Sequence, residues 1–302
     1  MRRHLVAFDI GGSKVAVKGV EADGEREVYA AKLKTPADDG VPAMLRLLDA
    51  QIAKVPGGRS SLSALGIAVP GHVDDTGRVL QAGNLRGWRD VPLRKQLEDR
   101  YAVPVFVEQD ANCGALGEKW RGAAKKMDDF VFLALGTGVG AGLFVGGSLY
   151  RGAHFAAGEA GDMTFPSDER DEETRLSDVV GKETIKKRAK KATGKKMSAA
   201  EALKKAPRMR ALRSVARDVV EHLSSSVVAI SALLDPEAII FGGGTSKAGN
   251  PLLKMVRERV APLGVVRAQL LLAKLGSESQ LYGALWGAQQ VASPSRRRAA
   301  SS

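Results

Sequence analysis

The sequence predicts an α/β fold made of two similar halves, and three observations carry this. Short apolar strands alternate with segments of helical period along most of the chain. Each half opens on a hairpin with a glycine-rich turn, "DIGGSK" at 9–14 and "ALGTGVGAG" at 134–142. No short repeat is present, so a solenoid is excluded. A duplicated α/β domain is the simplest architecture, and a ligand is expected in a cleft between the copies.

In chain order, "HLVAFDIGG", "KVAVKGVEA" and "EVYAAKLKT" read as a strand meander punctuated by Gly and Asp turns. A helix follows in "PAMLRLLDAQIAKV", a strand in "ALGIAVPG" and a helix in "PLRKQLEDRY". The run "VPVFVEQDANCGALGEKW" at 103–120 is a strand that ends in acids and turns into a helix, with Ala115, Leu116 and Trp120 on one face and Asn112 as a cap. Past Gly122 the pattern restarts with "DFVFLALGTG" and "GAGLFVGGSLY" as a second hairpin. A long amphipathic helix runs from Leu212 to Leu234 and is stopped by Asp235 and Pro236. The strand "EAIIFGGG", the helix "PLLKMVRERVA", the strand "QLLLAKL" and the helix "SQLYGALWGAQQV" complete the fold. The expected domains are 1–122, completed by the C-terminal helix 277–291, and 123–276, with a disordered tail at 292–302.

Composition bounds the function. At 302 residues, 44% hydrophobic and 26% charged, the chain suits a soluble globular protein. It has neither a run of the roughly 20 apolar residues that span a bilayer nor a signal peptide, so a cytoplasmic protein without a membrane partner is expected. The single cysteine, Cys113, excludes a disulfide framework and a multi-cysteine zinc site, and its setting among small residues makes it a buried hydrophobe rather than a nucleophile. The net charge of +12 is concentrated between Lys182 and Arg213, where thirteen basic residues face two acids. Such a run can bind polyanions, yet Ile185, Ala189 and Ala192 at helical spacing favour the solvated face of a packed helix.

Three glycine clusters suggest phosphate chemistry. In "FDIGGSK", Asp9 precedes Gly11 and Gly12, which let backbone N–H groups approach an anion, while Ser13 and Lys14 add donors. In "LGTGVGAG", Gly136, Thr137 and Gly138 offer the same features. In "FGGGTS", Gly242, Gly243 and Gly244 lie between a strand and a helix, a place that suits an adenine nucleotide. A plain tight turn explains each alone; the recurrence strengthens the phosphate reading. None has a Walker ending.

These segments, with "VPGHV", "NLRGW", "EQDANCGALGE", "AAGEAGDM" and "DPEAIIFGGG", stand in the order and spacing of the ROK family, which the chain resembles over residues 5 to 291. That family comprises sugar kinases and sugar-responsive repressors. The resemblance implies an actin-like, hexokinase-type (ribonuclease H-like) fold and phosphorylation of a sugar by ATP with Mg2+. It makes Asp110 the general base and gives Asn84, Gln109 and Glu159 to the sugar, with His72 as a turn residue or contact. Where the family has Glu-Asn-Asp this chain has Gln109. Where it has a zinc-binding histidine the chain has Asp162, and "PSDERDEETRLSDVVG" holds none of the cysteine ligands, so no zinc is expected. Asp162 is then a further sugar acceptor favouring plain hexoses over N-acetylated ones, and Asp178 a guess for the family's second glutamate.

Glucose is the first candidate substrate. Fructose, mannose, allose or an N-acetyl hexosamine, or polyphosphate as donor, are alternatives. The non-enzyme alternative is a sugar-binding regulator. Only eight residues precede Asp9, which leaves no room for a DNA reader, so no DNA partner is expected; the expected assembly is a homodimer.

Overall fold

The computed structural model describes residues 3–166 and 173–293, so part of "PSDERDEETRLSDVVG" and most of the expected tail lie outside the described residues. The first half runs β1 (His4–Ile10), β2 (Lys14–Glu21), β3 (Glu27–Lys34), α1 (Gly40–Ile52), β4 (Leu62–Val69), then three short strands, β5 (His72–Val73), β6 (Val79–Gln81) and β7 (Arg89–Val91). Helix α2 (Leu93–Tyr101), β8 (Val105–Gln109) and α3 (Asp110–Arg121) follow. The second half runs β9 (Phe130–Leu135), β10 (Val139–Val145), β11 (Ser148–Tyr150), β12 (Thr164–Pro166), β13 (Glu173–Arg175), α4 (Leu176–Val180), α5 (Lys182–Thr193), α6 (Ala199–Lys205) and α7 (Arg213–Leu234). It closes with β14 (Ala238–Gly242), α8 (Asn250–Val260), β15 (Gln269–Leu272) and α9 (Ser279–Ala292).

The chain divides into two compact units. One holds the residues up to Trp120, Gly152–Ala156 and everything from Glu278; the other holds Arg121–Arg151 and Ala157–Ser277. In the first, the sheet order is β3-β2-β1-β4-β8, and β1 pairs antiparallel with β2 but parallel with β4. Alternation along β1 splits its residues between two cores. Val6, Phe8 and Ile10 pack with Met44, Leu48 and Leu97, while Leu5 and Ala7 pack with Leu281, Ala284 and Leu285 of α9. Helix α9 lies close because glycines leave room: a Cβ on Gly66 would stand 1.9 Å from the Ala284 carbonyl oxygen, and one on Gly283 would stand 1.8 Å from that of Cys113.

The second unit repeats the plan. Its sheet order is β11-β10-β9-β14-β15, with β9 antiparallel to β10 and parallel to β14. Val131, Leu133 and Leu135 share a core with Leu176, Val219, Leu223, Val227 and Val256. Three features differ from the sequence reading. "GAGLFVGGSLY" is two strands, because Gly146 and Gly147, at φ +57° and +79°, make a two-residue reversal. The strands β5 to β7 form a small antiparallel sheet that the short, charged stretch did not announce. In the basic segment Ile185 and Ala189 are buried as expected, but Ala192 is exposed in the last turn before Gly194, at φ +71°, ends α5. No described helix is long and apolar enough to cross a membrane.

Candidate active site

In the first unit, β1 and β8 end in acids on either side of β4. Sheet register places Asp9 opposite Ala16 and Ala68, and these in turn opposite Lys32 and Glu108, so one row runs Lys32, Ala16, Asp9, Ala68, Glu108. Burial pushes the Asp9 carboxyl up to about 7, the like charge of Asp110 adds to the rise, and Lys32 opposes it. Asp110 is the first residue of α3, half-buried, and its carboxylate accepts the N–H of Ala111 at 2.7 Å. Helix α3 therefore starts two residues before Asn112, which is not its cap. The buried Asn112 amide donates to Glu108 Oε1 at 3.0 Å, and the Gln109 N–H reaches the same oxygen at 3.0 Å, which ties the strand end to the first helical turn.

The turn after β1 adjoins these acids in sequence. Gly11 N–H donates to the Lys14 carbonyl at 2.9 Å, and the buried Thr35 hydroxyl donates to the Gly11 carbonyl at 2.6 Å. Ser13 and Lys14 are exposed at its tip. A Cβ on Gly12 would stand 3.0 Å from Cβ of Asn84, so this turn and the "NLRGW" loop touch. Gly71, at φ +87°, leaves no room for a Cβ against the Gln81 carbonyl, which sets His72 at the start of β5 as part of a turn.

In the second unit the turn Gly136, Thr137, Gly138 is clamped from three sides. Gly136 N–H donates to the Gly138 carbonyl at 2.9 Å, Lys182 N–H donates to the Gly136 carbonyl at 3.0 Å, and Val139 N–H donates to the Ser177 hydroxyl at 3.0 Å. The same hydroxyl would lie 2.2 Å from a Cβ on Gly161, so Ser177 also abuts the turn that carries Glu159 and Asp162. Gly158, at φ +96°, gives its carbonyl to Ala141 N–H at 2.6 Å and thereby sets the half-buried Glu159 beside β10. Asp162 is exposed, with Arg175 at 3.5 Å; Arg175 also donates to Asp178 at 3.1 Å.

The third cluster resolves into separate duties. A Cβ on Gly242 would enter the Phe132 ring, and Gly243, at φ +82°, sits against the Leu135 backbone. Only Gly244 has open space around it. Among the described residues, no three of His, Cys, Asp and Glu converge as a metal site.

A family model for ROK matches residues 5–291. The chain belongs to the ROK family. Among similar proteins, the glucokinase of Halalkalibacterium halodurans is 29% identical over 95% of this chain and 96% of that one. A ROK glucokinase of Streptomyces griseus, solved in complex with glucose and AMPPNP, superposes with a TM-score of 0.80 at 29% identity, covering 95% of this chain and 99% of the other. The xylose repressor of Caldicellulosiruptor bescii is 40% identical over a shorter stretch, 39% of this chain and 30% of that protein. The ROK fold is the actin-like, hexokinase-type one, and its two sheets of matching order are what the paired glycine hairpins foreshadowed.

Three polar groups of this ROK chain escaped the sequence reading. Thr35, just past β3, and Ser177, in the first turn of α4, are single hydroxyls that reach their partners only through packing. Lys32 had a weak signal, since alternation in "EVYAAKLKT" puts it on one face with Ala30 and Lys34, but nothing local linked it to Asp9.

Proposed function

We infer that this ROK chain is an ATP-dependent sugar kinase acting on a hexose hydroxyl, with the 6-hydroxyl of glucose as its preferred acceptor. The observation that carries this reading is the placement of two carboxylates, Asp9 near the end of β1 and Asp110 at the junction of β8 and α3, near enough that the charge of Asp110 raises the Asp9 carboxyl. Phosphoryl transfer needs a carboxylate base to accept the hydroxyl proton and another negative group to hold a cation against phosphate. Asp110, fixed at the junction of β8 and α3, accepts the proton; the hydroxyl oxygen bonds to the γ-phosphorus as the bond to ADP breaks.

The residues suit Mg2+, which keeps most of its waters and needs only one or two protein carboxylates beside substrate phosphates. Asp9 would hold it, since its carboxyl is short of compensating charge, with Lys32 alone opposing the neighbouring acid. Bound there, the ion would neutralise phosphate charge. The turns at Gly11–Lys14 and Gly136–Gly138 present backbone N–H groups and the hydroxyls of Ser13 and Thr137 to phosphate oxygens, and Gly244 leaves room for the nucleoside. Asn84, Gln109, Glu159 and Asp162 are assigned to sugar hydroxyls. Acceptors outnumber donors in that set, which favours glucose over N-acetylglucosamine by roughly tenfold to a hundredfold in kcat/KM.

The test is a coupled assay with ATP and magnesium over glucose, fructose, mannose, allose, N-acetylglucosamine and N-acetylmannosamine, with inorganic polyphosphate as a parallel donor. Fastest turnover of glucose with ATP is expected. Sugar binding seen as a thermal shift, with no phosphate transferred to any sugar, would make the chain a regulator like the repressors of its family.

A further inference from the structure

Apart from these residues, the second unit carries a groove of about 1620 Å³ between the end of α6 and the first turns of α7 and α8. Small-molecule pockets run to roughly 300–1,000 Å³, so this one has the size for a chain segment. Its floor is apolar: Ala216 and Val220 lie one turn apart on α7, Pro251 and Met255 one turn apart on α8, and Met209 joins them from the connection after α6. Methionine adapts its shape to varied apolar partners.

The rim is basic. Eight Lys and Arg line the groove against two Glu, and both acids are already engaged, Glu201 with Lys205 at 2.5 Å and Glu258 with Lys254 at 3.6 Å. Arg257 donates to the Leu270 carbonyl and Arg259 pairs with Glu221. Lys204, Arg208 and Arg213 have no carboxylate partner among the described residues, and Arg217 reaches only Asp218, at 3.7 Å. A ligand for this groove therefore needs both acids and an apolar face. Bare polyphosphate makes no use of the floor, and single-stranded nucleic acid would want aromatic stacking platforms, of which the lining has none.

We propose that the groove is a docking site for an acidic amphipathic helix of a partner protein. Its apolar residues, at i, i+3 or i+4, and i+7, fill the floor, and flanking Asp and Glu meet Lys204, Arg208, Arg213 and Arg217. The site stands independently of the kinase reading, and its test does not use catalysis as the readout.

The probe is a fluorescein-labelled peptide of about 14 residues, four helical turns, with Leu at helical spacing and Glu on both flanks, titrated by anisotropy with the full chain. Saturable binding is expected, weakened at least about tenfold by the double change Arg213→Glu and Arg217→Glu. Met255→Lys separates the readings: it adds positive charge but removes floor, so the peptide should bind at least about fivefold more weakly, whereas a plain polyanion surface would bind it more tightly. A peptide with its Leu replaced by Ser checks the floor without altering the protein and should lose binding likewise. Equal binding of the Leu and Ser peptides, or tighter binding to the Met255→Lys chain, overturns the proposal. So does a sedimentation result in which the chain self-associates through this groove and the Arg213→Glu, Arg217→Glu chain is monomeric.

Discussion

At Asp9 backbone and charge pull against each other: the strand end that fixes the residue also desolvates its carboxyl beside Asp110, and its pKa is pushed up to about 7. Since this lies above the ordinary 3.8, the folded chain keeps a proton that the unfolded chain has released. The stability this contributes is present in full below about pH 4 and is lost as pH rises through 7. Asp9→Asn should therefore raise stability at pH 8 by on the order of 2 kcal/mol, the gain shrinking towards pH 4, while phosphoryl transfer falls. Urea unfolding at pH 4.5 and pH 8, values chosen about the two ends of that window, measures this. A variant no more stable than the parent at pH 8 would show that the carboxyl is not strained there. At Asp110 the amide of Asn keeps the shape and loses the proton acceptor, so Asp110→Asn should lower kcat at least about a hundredfold with sugar affinity little changed. Steady-state kinetics beside sugar titration separates the two, and unchanged turnover would reduce Asp110 to a helix-start residue.

At the scale of elements, the site depends on close approaches that small residues permit. Helix α3 carries Asp110 and is pressed against α9 where a Cβ on Gly283 would stand 1.8 Å from the Cys113 carbonyl oxygen. Gly283→Ala must push the helices apart and should cost at least about 2 kcal/mol, read as a lowered midpoint in chemical unfolding. In the second unit the Ser177 hydroxyl is the one side-chain clamp among the three bonds described for the Gly136–Gly138 turn. Ser177→Ala removes the acceptor for Val139 N–H, a bond worth about 1 kcal/mol, and should raise KM for ATP roughly fivefold with kcat moved less. An unchanged KM for ATP would mean that the turn keeps its shape unaided. The glycines of these turns and the acids at strand ends were legible in the sequence, because each is a local break in an apolar pattern. Thr35 and Ser177 were not, because a lone hydroxyl in a polar stretch looks the same whether or not it will meet a distant carbonyl or N–H.

At the scale of the whole molecule, two sheets of the same strand order are built from segments with no evident sequence repeat. What recurs is pattern: antiparallel meander, glycine turn, then parallel strands supplied by helical crossovers. The single cysteine, and Asp162 where the resemblance implies a histidine ligand, lead us to expect folding without a metal clip. Elemental analysis of the purified chain should find no stoichiometric zinc, and a chelator should leave Tm unchanged; about one zinc per chain would contradict this.

The sequence by itself determined the alternation of strand and helix, the two opening hairpins, the acid delivered at the end of β8, and the solvated basic helices of the second half. All of these rest on interactions within a few residues, where side-chain period and backbone freedom decide. Only the tertiary structure decided the charge environment of Asp9, with Asp110 and Lys32 brought to it from 101 residues ahead and 23 residues ahead along the chain. It likewise decided the start of α3 at Asp110 rather than at a cap on Asn112, and the meeting of Ser177 with two turns. Those outcomes depend on strand register and helix packing, where a shift of one residue turns a side chain to the opposite face and changes every polar neighbour it has.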